Sequence, residues 1–462
     1  MIISIDLIIV LLFFIILFFI GLLERKKVTL EDYWVNSRKT NKFILVATIC
    51  STFLGVGAIL SNAGIAFSGA GLATLVLMSS FFVYLLIYAK FFASKIKSFG
   101  DKYNAYTLPD FLGARYSNKV RVAGLVIQLI TYGSFLALQI LGMGIFVSAV
   151  GGMDPIFATI LGGIIVIAYN TIGGLRADIR TDIFQFIVML SLLFVFLPLI
   201  IIKSGGFSII TSLPTSFLIG REFAPWYVFI FAFLFIGATN IVSADIWQRT
   251  YAGDSRKGVK WAMKISGIVV LLFVFMGVLF GVFGKAIVPN ASANTVVTEL
   301  LRNFVPPILF GFIVAGFFAA IMSSSDTMLL LVSMTLVHDL YQKSLGHKLT
   351  PESTLRLSRW VTLITGILAL AVAVIVFSIV HIAIEAVSFL VVLIPTVVFG
   401  FYGKKATPRA ALWSIIIGAL TLTAFLFIDP VQAFIPALIM SFIVFFFVNK
   451  FSRKRLMIKP KK

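Results

Sequence analysis

The sequence predicts an all-α polytopic membrane protein of about thirteen transmembrane helices, and three observations predict it. Of 462 residues, 60% are hydrophobic and only 12% charged, with a mean hydropathy of +1.09, whereas soluble chains carry about 25% charge. The apolar residues gather in runs of roughly 20, the length that crosses the hydrocarbon core of a bilayer as a helix. The basic residues cluster between alternate runs. Barrel strands are excluded because the runs lack alternating polarity, and lipid tolerates no unpaired backbone.

Apolar runs bounded by charge, Gly or Pro place the helices at 2–23, 42–66, 70–94, 122–148, 154–172, 181–203, 224–246, 262–284, 307–336, 355–379, 381–402, 408–428 and 431–449. The first lacks the basic n-region and small-residue cleavage site of a secretory signal and reads as a retained span. Of the 38 Lys and Arg, 34 fall in the loops 24–42, 90–121, 176–180, 249–264, 343–359 and 404–409 and the tail 450–462, and four (Lys203, Arg221, Lys285, Arg302) in the opposite loops. By the positive-inside rule the N-terminus lies outside and the C-terminus in the cytoplasm, as an odd number of spans requires. A plasma-membrane location follows, with the basic face against anionic lipid. The net charge of +20 is thus a membrane signature and not that of a nucleic-acid binder, which would gather its charge on one soluble face. One cysteine, Cys50, permits no internal disulfide. Three histidines without metal-site spacing point to no zinc or redox centre, and no nucleophile and base sit at recognisable spacing, so the chain is expected not to be an enzyme.

Two spans look interrupted. Ser51-Thr52-Phe53-Leu54-Gly55-Val56-Gly57-Ala58 in the second and Gly237-Ala238-Thr239-Asn240 in the seventh place breaks at Gly55 and Gly237, each about 13 residues in. Corresponding breaks in two halves point to a transporter's midplane site, although Gly and Ser also let helices pack closely. With the first helix peripheral, 42–203 and 224–402 form two groups of five helices of opposite topology, joined by the outer loop 204–223. Residues 403–462 add two peripheral helices and the basic tail.

Acids at membrane depth are expensive and therefore functional candidates. Asp326 follows Ser323, Ser324 and Ser325; an alkali cation needs hard oxygen ligands, which hydroxyls and carbonyls supply. Ala320 shares the face of Ser323 and Ser324. The competing reading has each Ser hydroxyl bonding its own i−4 carbonyl. Asp182 reads either as an N-cap at the cytoplasmic rim beside Arg180 or as a cation ligand. Asp245 has Arg249 one turn on as a partner. Glu385 fits a cap, a gate or a proton carrier.

At these residues the sequence resembles the sodium:solute symporter family. The resemblance rests on Asp32-Tyr33-Trp34-Val35-Asn36-Ser37-Arg38, Thr107-Leu108-Pro109-Asp110-Phe111-Leu112-Gly113-Ala114-Arg115-Tyr116, Gly173-Gly174-Leu175 through Gln185, Gln248-Arg249-Thr250, Ala320 through Ser324, and Asp339-Leu340-Tyr341, in family order. It implies the leucine-transporter-like inverted repeat of five plus five helices and coupling to Na⁺. It also implies a sodium site of backbone carbonyls and two hydroxyls, falling on Ser51, Leu54, Ala320, Ser323 and Ser324. A second cation site, present in some members, aligns with Asp182, with Asp326 and Thr327 replacing part of the hydroxyl pattern. The expected substrate contacts are Asn62, Thr239, Asn240 and Ser243. Where the sugar carriers line the cavity with aromatic and amide residues, the corresponding part of the seventh helix here reads Thr239-Asn240-Ile241-Val242-Ser243, and half-helix N-termini attract carboxylates, so a small amino acid or carboxylate is favoured over a sugar. Proton coupling through Asp182, Asp326 or Glu385, a channel, and a sensor remain the alternatives.

Overall fold

The computed structural model describes residues 8–9, 12–13, 15–16, 30–170, 175–403 and 405–457; side chains are left undescribed at a few further positions, chiefly 169–180 and beyond 452. Among the described residues the chain is helical, and its one β-bridge pairs Thr40 with Gly253. Each run expected between 42 and 449 coincides with a helix or helix pair. Among the described residues nine helices are long and apolar enough to cross a membrane, and counting each of two bent pairs as one span brings the number to eleven. Pro155–Ala168 is apolar but shorter, and the expected first span lies largely outside the described residues.

Local chemistry sets many helix starts. The side chains of Asn41, Ser117, Ser255, Thr350, Ser378 and Thr407 each accept a backbone N–H in the first turn of the helix that follows, satisfying donors that a helix cannot satisfy itself.

The first bent pair joins α1 (Lys42–Phe53) to α2 (Gly57–Ala70) at 56°, with the break at Leu54–Val56, where the sequence places it. Helix α3 (Asn118–Gly151) runs alongside. Helix α4 (Leu175–Ser191) continues to Lys203. The second bent pair, α5 (Trp226–Ile241) and α6 (Ala244–Ala252), bends by 43° at Val242–Ser243, five residues beyond the expected Gly237. The cause is packing: a Cβ on Gly237 would lie 2.2 Å from the Ser80 carbonyl oxygen. Gly237 thus permits close approach, and the helix tightens to a 3₁₀ segment over Gly237–Ile241 before it breaks. In Arg256–Ile287, Gly277 and Gly281 do the same against α2, where added Cβ atoms would meet the carbonyls of Ala58 at 2.7 Å and Ala63 at 2.2 Å. Helix α7 (Leu309–Ser344) carries the serine cluster through the core and is the most buried span.

Candidate transport site

A break in a helix frees backbone groups that must be satisfied within the protein. Both breaks are answered from α3. The Gln139 carbonyl oxygen accepts the Val56 N–H at 3.0 Å, and the Gln128 amide donates to the Val242 carbonyl at 3.0 Å. Trp247 Nε1 also donates to the Ile241 carbonyl at 2.7 Å. The two glutamines are eleven residues apart, about 16 Å along a helix, so one rigid rod holds both interruptions. Sequence reasoning missed them; two glutamines inside an apolar span were the available signal.

The broken end of α1 meets α7. Ser324 Oγ donates to the Thr52 carbonyl at 2.9 Å and lies 3.5 Å from that of Ser51. Ser323 Oγ and Thr48 Oγ1 both donate to the Asp182 carboxylate. Thr52 Oγ1 is 3.2 Å from Thr327 Oγ1. Leu54 and Ala320 are buried at the same junction, on α1's cap and one turn before Ser324. Of the three serines, Ser325 alone bonds its i−4 carbonyl, that of Ile321 at 2.6 Å. Ser323 and Ser324 instead reach across to other helices, which the close-packing reading does not account for. Gly55 leaves room for this junction: a Cβ there would lie 2.2 Å from Ser324 Oγ and 2.8 Å from Gln139 Oε1.

The N-cap reading of Asp182 does not hold. Helix α4 already runs at Leu175, and Asp182 is fully buried. Its charge is met by Arg249, whose Nη2 is 3.6 Å from Oδ2. That guanidinium also donates to Thr327 Oγ1 at 2.7 Å and to the Thr48 carbonyl and hydroxyl at 3.2 and 3.1 Å. Arg249 had been counted among loop basics and as the partner of Asp245. It is 1% exposed, and Asp245 takes the hydroxyl of Tyr132 at 2.6 Å instead. A helical pair four apart is a weak attraction, and packing brings the guanidinium to the Asp182 carboxylate instead. Of the second candidate cation set, Asp182 and Thr327 are bridged by Arg249, and Asp326 is half-buried on α7.

A cavity of about 190 Å³ lies beside this junction, between the two breaks. Asn62, Thr239, Asn240 and Ser243 all line it. Asn62 Nδ2 donates to the Ala58 carbonyl at 2.8 Å, Thr239 Oγ1 to that of Ile236 at 2.6 Å and Asn240 Nδ2 to that of Phe81 at 2.9 Å. The rest of the wall is largely apolar, with Phe53, Phe81, Phe135, Val270, Val274 and Met328, and it reaches Phe223 and Val431 in loops.

At the end of the bundle carrying the basic loops, the short helix Leu108–Arg115 docks on the end of α7. Asp110, His338 and Asp339 offer ligand atoms within 4.8 Å of one another. His338 Nε2 lies 3.2 Å from Asp110 Oδ2, and Thr107 Oγ1 donates to Asp339 at 2.7 Å. Burial pushes the Asp110 carboxyl up, but the hydrogen bond and charge of His338, with the Tyr106 N–H, outweigh it and hold it below the usual range. The 228 residues between Asp110 and His338 hid this cluster from motif reading.

Two sharply bent, interrupted spans around a central cavity define a secondary transporter of the leucine-transporter-like inverted-repeat fold. The solved structure of a substrate-bound, outward-open Na⁺-coupled sialic acid symporter superposes with a TM-score of 0.80, covering 99% of both chains at 18% identity. A nucleobase-cation-symport-1 family transporter in a closed conformation gives 0.57 over 91% of this chain and 94% of its own, at 13% identity. The sequence model of the sodium:solute symporter family matches residues 33–418. The chain belongs to the sodium:solute symporter family. Among its relatives, the sodium/pantothenate symporter of Escherichia coli K12 is 26% identical, covering 91% of this chain and 90% of its own. The sodium/proline symporter of the same organism is 27% identical over 69% and 67%. The protein is accordingly a multi-pass membrane transporter coupling a small organic solute to Na⁺.

Proposed function

We propose that Na⁺ is bound at the junction of α1 and α7 by the carbonyls of Ser51, Leu54 and Ala320 and the hydroxyls of Ser323 and Ser324. The observation that carries this is the direction of the two hydroxyls. Ser323 donates its proton to Asp182 and Ser324 donates its own to Thr52, so the lone pairs of both oxygens are left for a cation. All five are neutral oxygen donors, whose modest field lets the ion leave again. Asp182 orients Ser323 and balances Arg249. A second cation at Asp182, Asp326 and Thr327 belongs to a state in which the guanidinium has moved off Asp182.

The solute occupies the 190 Å³ cavity against Asn62, Thr239, Asn240 and Ser243, and is a small amino acid or carboxylate rather than a sugar. The relatives named for pantothenate and proline support this class. Na⁺ fastens α1 to α7, favours the state with the cavity formed and raises solute affinity; by linkage the solute raises Na⁺ affinity by the same factor. The repeats are 42–203 and 224–402, the basic end faces the cytoplasm against anionic lipid, and the work is transport without catalysis.

The test is uptake into proteoliposomes under an imposed Na⁺ gradient. Wild-type protein should accumulate solute, and Ser323→Ala with Ser324→Ala should abolish accumulation. Accumulation that follows a pH gradient and ignores Na⁺ would assign the coupling to protons.

A further inference from the structure

We propose that the transported solute carries a positively charged nitrogen and that Asp245 is the group that recognises it. This rests on the cavity being the solute site and narrows the class, from an amino acid or carboxylate to a solute with a cationic amine.

Among the described residues that line the cavity, Asp245 is the one charged side chain; no Lys, Arg or His lines it. A solute whose only charge is a carboxylate would therefore meet no basic side chain and one acid, in surroundings where charges are poorly screened. The end of a half-helix that ordinarily attracts an anion is here taken by the protein itself, since Asp245 stands in the first turn of α6. Its helical neighbour Arg249 is engaged by Asp182.

The carboxylate is held in place for such contact. Tyr132, which also lines the cavity, donates its hydroxyl to Asp245 Oδ1 at 2.6 Å and accepts the Asp245 backbone N–H at 3.2 Å. A second acceptor stands in the same wall. Asn240 is pinned through Nδ2 to the Phe81 carbonyl, and its Oδ1 is buried with no hydrogen-bond partner, an acceptor that the protein itself leaves unsatisfied beside the cavity. The aromatic side chains of Phe53, Phe81 and Phe135 in the wall suit a cationic nitrogen and its apolar body. A carboxylate, an orphan carbonyl and aromatic side chains, with no basic side chain, make a site for an ammonium or alkylammonium group on a small apolar frame.

The experiment compares matched probes on the purified full chain: L-proline, glycine betaine and choline against cyclopentanecarboxylate and pantothenate, each read by thermal stabilisation with and without saturating Na⁺. Probes bearing the cationic nitrogen should stabilise in Na⁺ with at least tenfold higher affinity than the matched carboxylates. Asp245→Asn should lower that affinity tenfold or more while leaving stabilisation by Na⁺ alone unchanged. Na⁺-dependent stabilisation by cyclopentanecarboxylate or pantothenate equal to that by the amines would overturn the proposal and leave the symport reading intact. Loss of the response to Na⁺ alone in Asp245→Asn would also overturn it, assigning Asp245 to the ion. Solute binding indifferent to Na⁺ would instead strike the symport reading. If Asp245→Asn does not fold, the wild-type panel decides alone.

Discussion

Asp182 and Arg249 form a buried ion pair in the core. Both are almost fully buried, and removing one partner of such a pair leaves an uncompensated charge worth about 3–5 kcal/mol. Asp182→Asn keeps an acceptor for only one of Thr48 and Ser323, which bond different carboxylate oxygens, and it strands the guanidinium. It should lower the thermal unfolding midpoint sharply, and the double variant Asp182→Leu with Arg249→Met should recover most of the loss. A double variant no more stable than Asp182→Asn would show that the pair acts through its hydrogen bonds rather than its charge. The individual site residues divide by how they could be read. Ser323, Ser324, Asn62, Thr239, Asn240 and Ser243 announced themselves as polar residues in apolar runs. The partner of Asp182 did not, because Arg249 and Asp182 are separated by a whole helical crossing and sequence spacing favoured Asp245.

Among elements, α3 is the one whose role the sequence concealed. Its apolar character places it in the membrane, but its two glutamines act on other chain segments, at Val56 and at Val242. Gln139→Leu removes the acceptor of a buried N–H and should cost about 1–3 kcal/mol, seen as a lower unfolding midpoint with weaker Na⁺ stabilisation, because Gln139 also lies against the Gly55 junction. Gln139→Glu keeps the acceptor but buries a carboxylate with no counter-charge, and should not restore the midpoint. Unchanged Na⁺ stabilisation in Gln139→Leu would mean that the break is held by its own helices. The first break was legible from Gly55 because that glycine sits at the bend itself. The second was misplaced because Gly237 serves a contact with Ser80 that only the folded bundle creates.

For the whole molecule, the bias of the basic loops predicts which way the chain is oriented. In a Cys50→Ser background, Ser208→Cys, in the loop after α4, should react with a membrane-impermeant maleimide from outside intact cells. Lys348→Cys, beyond the end of α7, should react only after permeabilisation; the reverse pattern would invert the topology. Both positions are exposed in the fold. The sequence by itself determined that this protein spans a membrane, roughly where each helix lies, which residues are polar at depth and which family it resembles, because hydropathy, charge bias and ordered motifs are properties of the chain read in one dimension. The tertiary structure alone decided which of those polar groups meet: Asp182 with Arg249 rather than Asp245 with Arg249, Ser323 and Ser324 across to α4 and α1, and Asp245 as the one charge among the described residues of the cavity wall. The physical reason is that a buried charge or a freed backbone group takes whichever partner packing brings within about 3 Å, and packing between distant helices is not written in sequence spacing.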